Sequence, residues 1–174
     1  RVCPLKYKDR ESFLSMLDEY GRDIFTHMIS NEAEETALKA LYAADDVNKE
    51  DRYGYSYLTF ACVGHKVKVI EALLRMGADP NHKSQPLLKA LGRKNKDNSA
   101  ILELFIQYGV DLTADVNGST VEETIRSFGD EALNQILNEN KPSKGINGMN
   151  MYFSARTQTL AQFKEVYDKR LLNE

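Results

Sequence analysis

The stretch DEYGRDIF at residues 18–25 returns as DRYGYSYL at 51–58, with Asp, Tyr, Gly and a closing large apolar residue in the same order 33 residues later. A fixed period of this length constrains the fold more than any other feature, because each copy must fold alike and pack on its neighbours. Apolar positions extend the register: Leu41, Leu74, Ile106 and Leu137 follow at gaps of 33, 32 and 31 residues. Helix-stopping segments recur beside them as AADDVN at 43–48, MGADPN at 76–81 and YGVDL at 108–112.

Each period predicts a short helix, a tight turn, a longer helix and an extended segment. In the clearest copy Ser56 is placed to cap a helix through Ala61 by accepting a backbone N–H bond, worth about 1 kcal/mol. Gly64 is placed to end that helix in the left-handed conformation. Val69, Ile70, Leu73 and Leu74 recur at spacings of three and four, so they share one face of a second helix, which Gly77 closes. Two short helices cannot hide that face alone, and stacking like pairs side by side does, which predicts a solenoid.

Residues 51–81, DRYGYSYLTFACVGHKVKVIEALLRMGADPN, resemble an ankyrin repeat. Asp51, Gly54, Leu58, Ala61, Leu73, Leu74, Gly77, Ala78, Asp79 and Asn81 match the family frame, while Ser56, Tyr57, Thr59 and Cys62 stand where it has Thr, Pro, His and Ala. Gly64 and His65 sit one place early, so the turn between the helices is expected to be built differently. The resemblance spans residues 18–140 and implies an all-α ankyrin-repeat solenoid of about four helix-turn-helix repeats. The connector from Asp79 to Leu87 is four residues shorter than that from Asp46 to Leu58, so its hairpin is expected to be stunted. About three extra residues near Arg93, Lys94 and Lys96 predict a basic bulge, and the polar unit GSTVEETIRSFGDEALNQILNEN suits the open end of a stack. Residues 1–17 read as a capping segment with a helix through Phe13, Leu14 and Leu17. A linker at 141–153 leads to an amphipathic helix at 154–174, striped by Leu160, Phe163, Tyr167 and Leu171.

Reaction chemistry is hard to find. His27, His65 and His82 have no Cys or second His at ligand spacing, so no metal and no cofactor is expected, and His65 reads as a turn histidine bonding backbone. The glycines of GINGMN neither follow a strand nor open a helix, as a phosphate cradle requires. No serine or cysteine has a recognisable base beside it, and the chain is read as a non-enzyme. Glu34 with Glu35 and Glu122 with Glu123 read as helix-start carboxylates favoured by the macrodipole. Lys66 and Lys68, with the 93–96 loop, read as a solvated face, the alternative being recognition of an acidic surface. A net charge of −3 with interspersed signs argues against nucleic acid as partner, and no apolar run approaches the ~20 residues that cross a bilayer. Cys3 and Cys62 make no disulfide framework; RVCPLKYKDR has no apolar signal core, and a cytoplasmic location is the expectation.

Function is therefore read as binding. In the ankyrin frame Arg52, Tyr53 and Tyr55 fall on the projecting hairpin, whose tips line a concave face, and aromatics there are not needed for stacking. Tyr supplies a large contact with few rotors and a polar tip. The alternative is that Tyr57 packs on the adjacent repeat and Tyr53 on Tyr20. The expected partner-binding surface is Tyr20, Arg22, Arg52, Tyr53, Tyr55, Val63, His82 and Lys83. The partner is expected to be a protein, possibilities being a toxin or enzyme that the chain neutralises as an inhibitor or immunity protein, since small ankyrin proteins of this composition resemble bacterial ones. The competing reading is a scaffold, regulatory or host-directed effector protein whose C-terminal helix plugs the groove or pairs two copies, the chain being a monomer or weak homodimer.

Overall fold

The computed structural model describes residues 12–140. Its periodic apolar positions become helices in pairs: α1 (Ile24–Asn31) with α2 (Glu34–Leu41), α3 (Tyr57–Val63) with α4 (Val67–Arg75), and α5 (Pro86–Leu91) with α6 (Asn98–Gln107). After them come β1 (Asp115–Val116), β2 (Ser119–Thr120) and α7 (Val121–Ser127). These elements belong to a first compact unit ending at Phe128; a second begins at Gly129, and its described helix is α8 (Glu131–Glu139). Within the first unit α1, α3, α5 and α7 form one row, each against the next, and α2, α4 and α6 a second row behind it. The described chain is mostly helical, as the repeat predicts. Its strand pairing consists of the β1–β2 hairpin, with Asp115 opposite Thr120 and Val116 opposite Ser119, and a bridge between Glu50 and Ser56.

The core runs between the rows. Val69, Ile70 and Leu73 are fully buried and Leu74 is nearly so, as the spacing predicts. Each such side chain stabilises the fold by about 1.5–3 kcal/mol. Leu58, Ala61 and Cys62 of α3, Leu87, Ala90 and Leu91 of α5, and Ile101, Leu102 and Phe105 of α6 repeat the arrangement. In the second unit α8 buries Leu133, Ile136 and Leu137.

The helix ends depart from expectation in three places. Ser56 stands at the N-cap of α3 but caps nothing; its Oγ lies 3.2 Å from Thr59 Oγ1. Side-chain caps instead come from Asp23, which accepts the Thr26 N–H at 3.0 Å, and from Thr120, in a reciprocal capping box with Glu123. Gly64 is right-handed at φ −81°, and the left-handed residue is His65 at φ 50°, whose Nε2 donates to the Ala90 carbonyl at 2.9 Å. The turn is thus built one residue later, and its histidine does bond backbone. Lys66 is not a solvated charge: its Nζ donates to the carbonyls of Ile29 and Glu32, capping the C-terminal end of α1. Lys68 donates its backbone N–H to Glu34 Oε2 at 3.0 Å, which joins α4 to the first turn of α2.

Connectors are tied one repeat to the next by asparagine. Asp46 and Asp79 each accept the N–H two residues on, from Asn48 at 2.9 Å and Asn81 at 2.8 Å. Asn48 then donates to Gly77 O at 3.2 Å and accepts Asp79 N–H at 2.9 Å; Asn81 does the same with Gly109 O at 3.2 Å and Asp111 N–H at 2.6 Å. At the next place stands Thr113, whose hydroxyl turns back to Asp111 at 2.7 Å, and the ties end. In the expected N-terminal capping segment residues 12–14 are helical, with Phe13, Leu14 and Leu17 exposed. The expected linker at 141–153, the amphipathic helix at 154–174 and Cys3 lie outside the described residues.

Candidate protein-binding face

The recurring Asp-x-Tyr-Gly builds two loops of one shape. Asp18 Oδ1 accepts the N–H groups of Tyr20 and Arg22 at 2.8 Å each, and Asp51 Oδ1 those of Tyr53 and Tyr55 at 2.9 Å each. Gly21 and Gly54 follow at φ +76° and +77°, a region that side chains disfavour. The loops touch: Arg52 N–H donates to Tyr20 O at 2.9 Å, and a Cβ added to Gly21 would come within 2.9 Å of Arg52 Cγ. Tyr20 and Tyr53 thereby occupy equivalent tips, ring centres 6.2 Å apart and tilted by 31°.

From these tips a ladder of rings and cations crosses the first row of helices. The Arg22 guanidinium lies between Tyr20 and Phe60, 5.0 and 5.2 Å from their ring centres, and its Nε donates to Asp51 at 3.3 Å. Phe60 meets Tyr55 edge to face at 6.2 Å, and Lys89 Nζ sits 4.9 Å above the Tyr55 ring. Cations over aromatic faces at these distances attract by about 0.5–1 kcal/mol each at exposed sites. Tyr53 remains 64% exposed and Tyr20 40%.

A second network fixes the shortened connector. Thr59 Oγ1 lies 2.5 Å from Ser84 Oγ; Ser84 Oγ lies 2.7 Å from His82 Nδ1; His82 Nε2 lies 2.8 Å from Glu50 Oε1; and Lys83 Nζ donates to Glu50 Oε2 at 2.6 Å. Lys83 first and then His82 hold the Glu50 carboxyl below its ordinary pKa. Glu50, His82 and Ser84 have the chemical order of a serine-hydrolase relay, but Nδ1 also accepts the Ser84 N–H at 3.2 Å and Thr59 engages the hydroxyl. The cluster therefore anchors a loop. Among the described residues no group of three or more His, Cys, Asp or Glu is arranged to hold a metal ion, and no helix is long and apolar enough to cross a membrane.

Two rows of short helices, Asp-anchored tips and asparagine ties between connectors are the marks of one repeat type, and a family model described as the ankyrin repeat matches residues 53–85. The chain carries an ankyrin repeat. No curated protein matches it. Ankyrin repeats are generally modules of protein–protein interaction, and a non-enzymatic binding role is the character of the family.

The ankyrin frame brings most of the expected face together. Tyr20, Arg22, Arg52, Tyr53 and Tyr55 share the tips and ladder, and Lys83 flanks Gly54, a Cβ on which would lie 3.1 Å from Lys83 Cε. Val63, 44% exposed, ends α3. His82 is only 8% exposed and engaged at both ring nitrogens, so it braces the face from behind. Both alternatives for the tyrosines hold as well: Tyr57 is buried with its hydroxyl donating to Asp23, and Tyr53 does rest against Tyr20. Sequence reasoning missed Phe60 and Lys89. They occupy equivalent places four residues after Ser56 and Gln85, and superposing the two repeats would have paired them.

Proposed function

We propose that this ankyrin-repeat chain grips a partner protein through its hairpin tips and first-row helices, with Tyr20, Arg22, Tyr53, Tyr55 and Lys89 as the central contacts. The observation that carries this reading is the ladder: rings and interposed cations run across three successive repeats and leave tyrosine tips in solvent, where the stack itself does not need them. Pre-positioned aromatic and arginine side chains suit binding because little rotamer freedom remains to be lost. In its finer form the proposal is an inhibitor or immunity protein of the cytoplasm that occludes a toxin or enzyme, since a rigid face with fixed anchors covers a surface without chemistry of its own.

The test is affinity capture from native lysate with the wild-type chain and with Tyr53→Ala/Tyr55→Ala as baits, followed by calorimetry on the protein retained by the first alone. The double variant is expected to bind at least tenfold more weakly, about 1.4 kcal/mol, with Tm within about 2 °C of wild type. Equal affinity for the two baits rejects this face.

A further inference from the structure

The shortened connector leaves a gap in the row of hairpins. On one side stands the 51–56 loop with Tyr53 and Tyr55, and on the other the β1–β2 turn with Val116 and Asn117. Between them the surface drops to Ser84, Gln85, Leu88 and Lys89, the floor of an open groove of about 660 Å³. Gln85 enters α5 in the left-handed conformation at φ 54°, which an L-residue disfavours by roughly 1–2 kcal/mol.

Positive charge in the groove is compensated by Glu50 at Lys83 and left over at Lys89. Among the described residues that line it, Lys83 and Lys89 are charged and no carboxylate is present. The nearby Glu50 is engaged by Lys83 and His82, whereas Lys89 makes no ion pair among the described residues and has the Tyr55 ring as its partner. Half-buried Leu88 adds an apolar side chain to the lining of the groove.

We propose that this notch receives a protruding loop of the partner protein in which an acidic side chain adjoins a large apolar one. The carboxylate would lie on the Lys89 ammonium, with the Glu50-paired Lys83 at the edge of the groove, and the apolar side chain on Leu88 and the Tyr55 ring. The proposal rests on the protein-binding reading and adds to it what the partner presents. A protein loop fits better than a polyphosphate, because the whole chain carries a net charge of −3 and two lysines are too few to gather a nucleic acid against it.

The experiment is selection of random twelve-residue displayed peptides on the immobilised full chain, then titration of the selected peptides, as synthetic material, against wild type, Lys83→Gln/Lys89→Gln and Leu88→Glu. Circular dichroism and Tm verify that each variant is folded. Enrichment of Asp or Glu beside a large apolar residue is expected, with at least a tenfold loss of affinity in each variant. Selection without acidic enrichment, failure to select any peptide, or affinity unchanged by Lys83→Gln/Lys89→Gln overturns the notch. If such peptides are lost instead in Tyr53→Ala/Tyr55→Ala, the broader binding face stands without it. Tight binding of a single-stranded oligonucleotide, abolished by the lysine pair, overturns it in favour of nucleic acid.

Discussion

Tyr57 shows what one side chain can carry when it replaces the proline of the family frame. Its ring meets Phe25 edge-on at 6.3 Å and its hydroxyl donates to Asp23, which also accepts from Thr26 N–H at 3.0 Å and Lys49 Nζ at 3.0 Å. Burial alone would raise the Asp23 pKa, but the bonds from Tyr57, Thr26 and Lys49 outweigh it and hold it below the ordinary carboxylate value. Tyr57→Phe keeps the ring and deletes one bond to a charged acceptor, so a loss of about 1.5–3 kcal/mol is expected in urea unfolding. The sign of the pH effect follows from the depressed folded pKa: the contribution is complete above the unfolded value near ~4 and is lost as pH falls through the folded one. Wild type is therefore expected to lose stability more steeply below about pH 4 than Asp23→Asn, as read from urea midpoints across that interval. A sequence shows Tyr57 and Asp23 but not their meeting, since the pair lies one period and one residue apart and depends on the register of two loops. Cys62 was easier to read, because a thiol on the inner face of a helix follows from spacing alone; fully buried, its pKa is pushed up.

At the scale of elements, the connectors are held by side chains acting as backbone. Asn81→Ala would strip the Gly109 carbonyl and the Asp111 amide of their partners together, and the expected cost is about 1–3 kcal/mol by chemical denaturation. Hydrogen exchange at the Asp111 amide should accelerate with it; an unchanged amide would show that the tie contributes nothing. Recurrence of Asp-x-Asn was legible, and so were the helices, because both follow from residues close in sequence. The helix ends were not. Ser56 and Gly64 were assigned by local rules, yet tertiary partners moved the hydroxyl to Thr59 and the left-handed turn to His65, and Lys66 found its carbonyls in the preceding repeat. The Asn117–Gly118 turn of β1–β2, in contrast, carried a local hairpin signal open to reading, with both residues at positive φ.

Over the first compact unit, stability should follow neighbour count along the rows. α3 touches α1, α4 and α5, whereas α1 and α7 lie at the two ends of their row. In an array bound by nearest-neighbour contacts the interior opens last. Amides of Leu58–Cys62 are expected to exchange most slowly and those of α1 and α7 faster, by native-state exchange with mass spectrometry; uniform protection would contradict a linear array. The order of the stack was readable from the period, while the candidate face was readable only at its tips, because Phe60 and Lys89 acquire meaning through contacts between repeats. The missing hairpin has a wider implication. Since the Glu50–His82–Ser84 network secures the short connector, four residues can be absent without disturbing any apolar side chain beneath. A lineage built this way can recut the relief it offers to other molecules by changing loop length alone, leaving its foundations as they were.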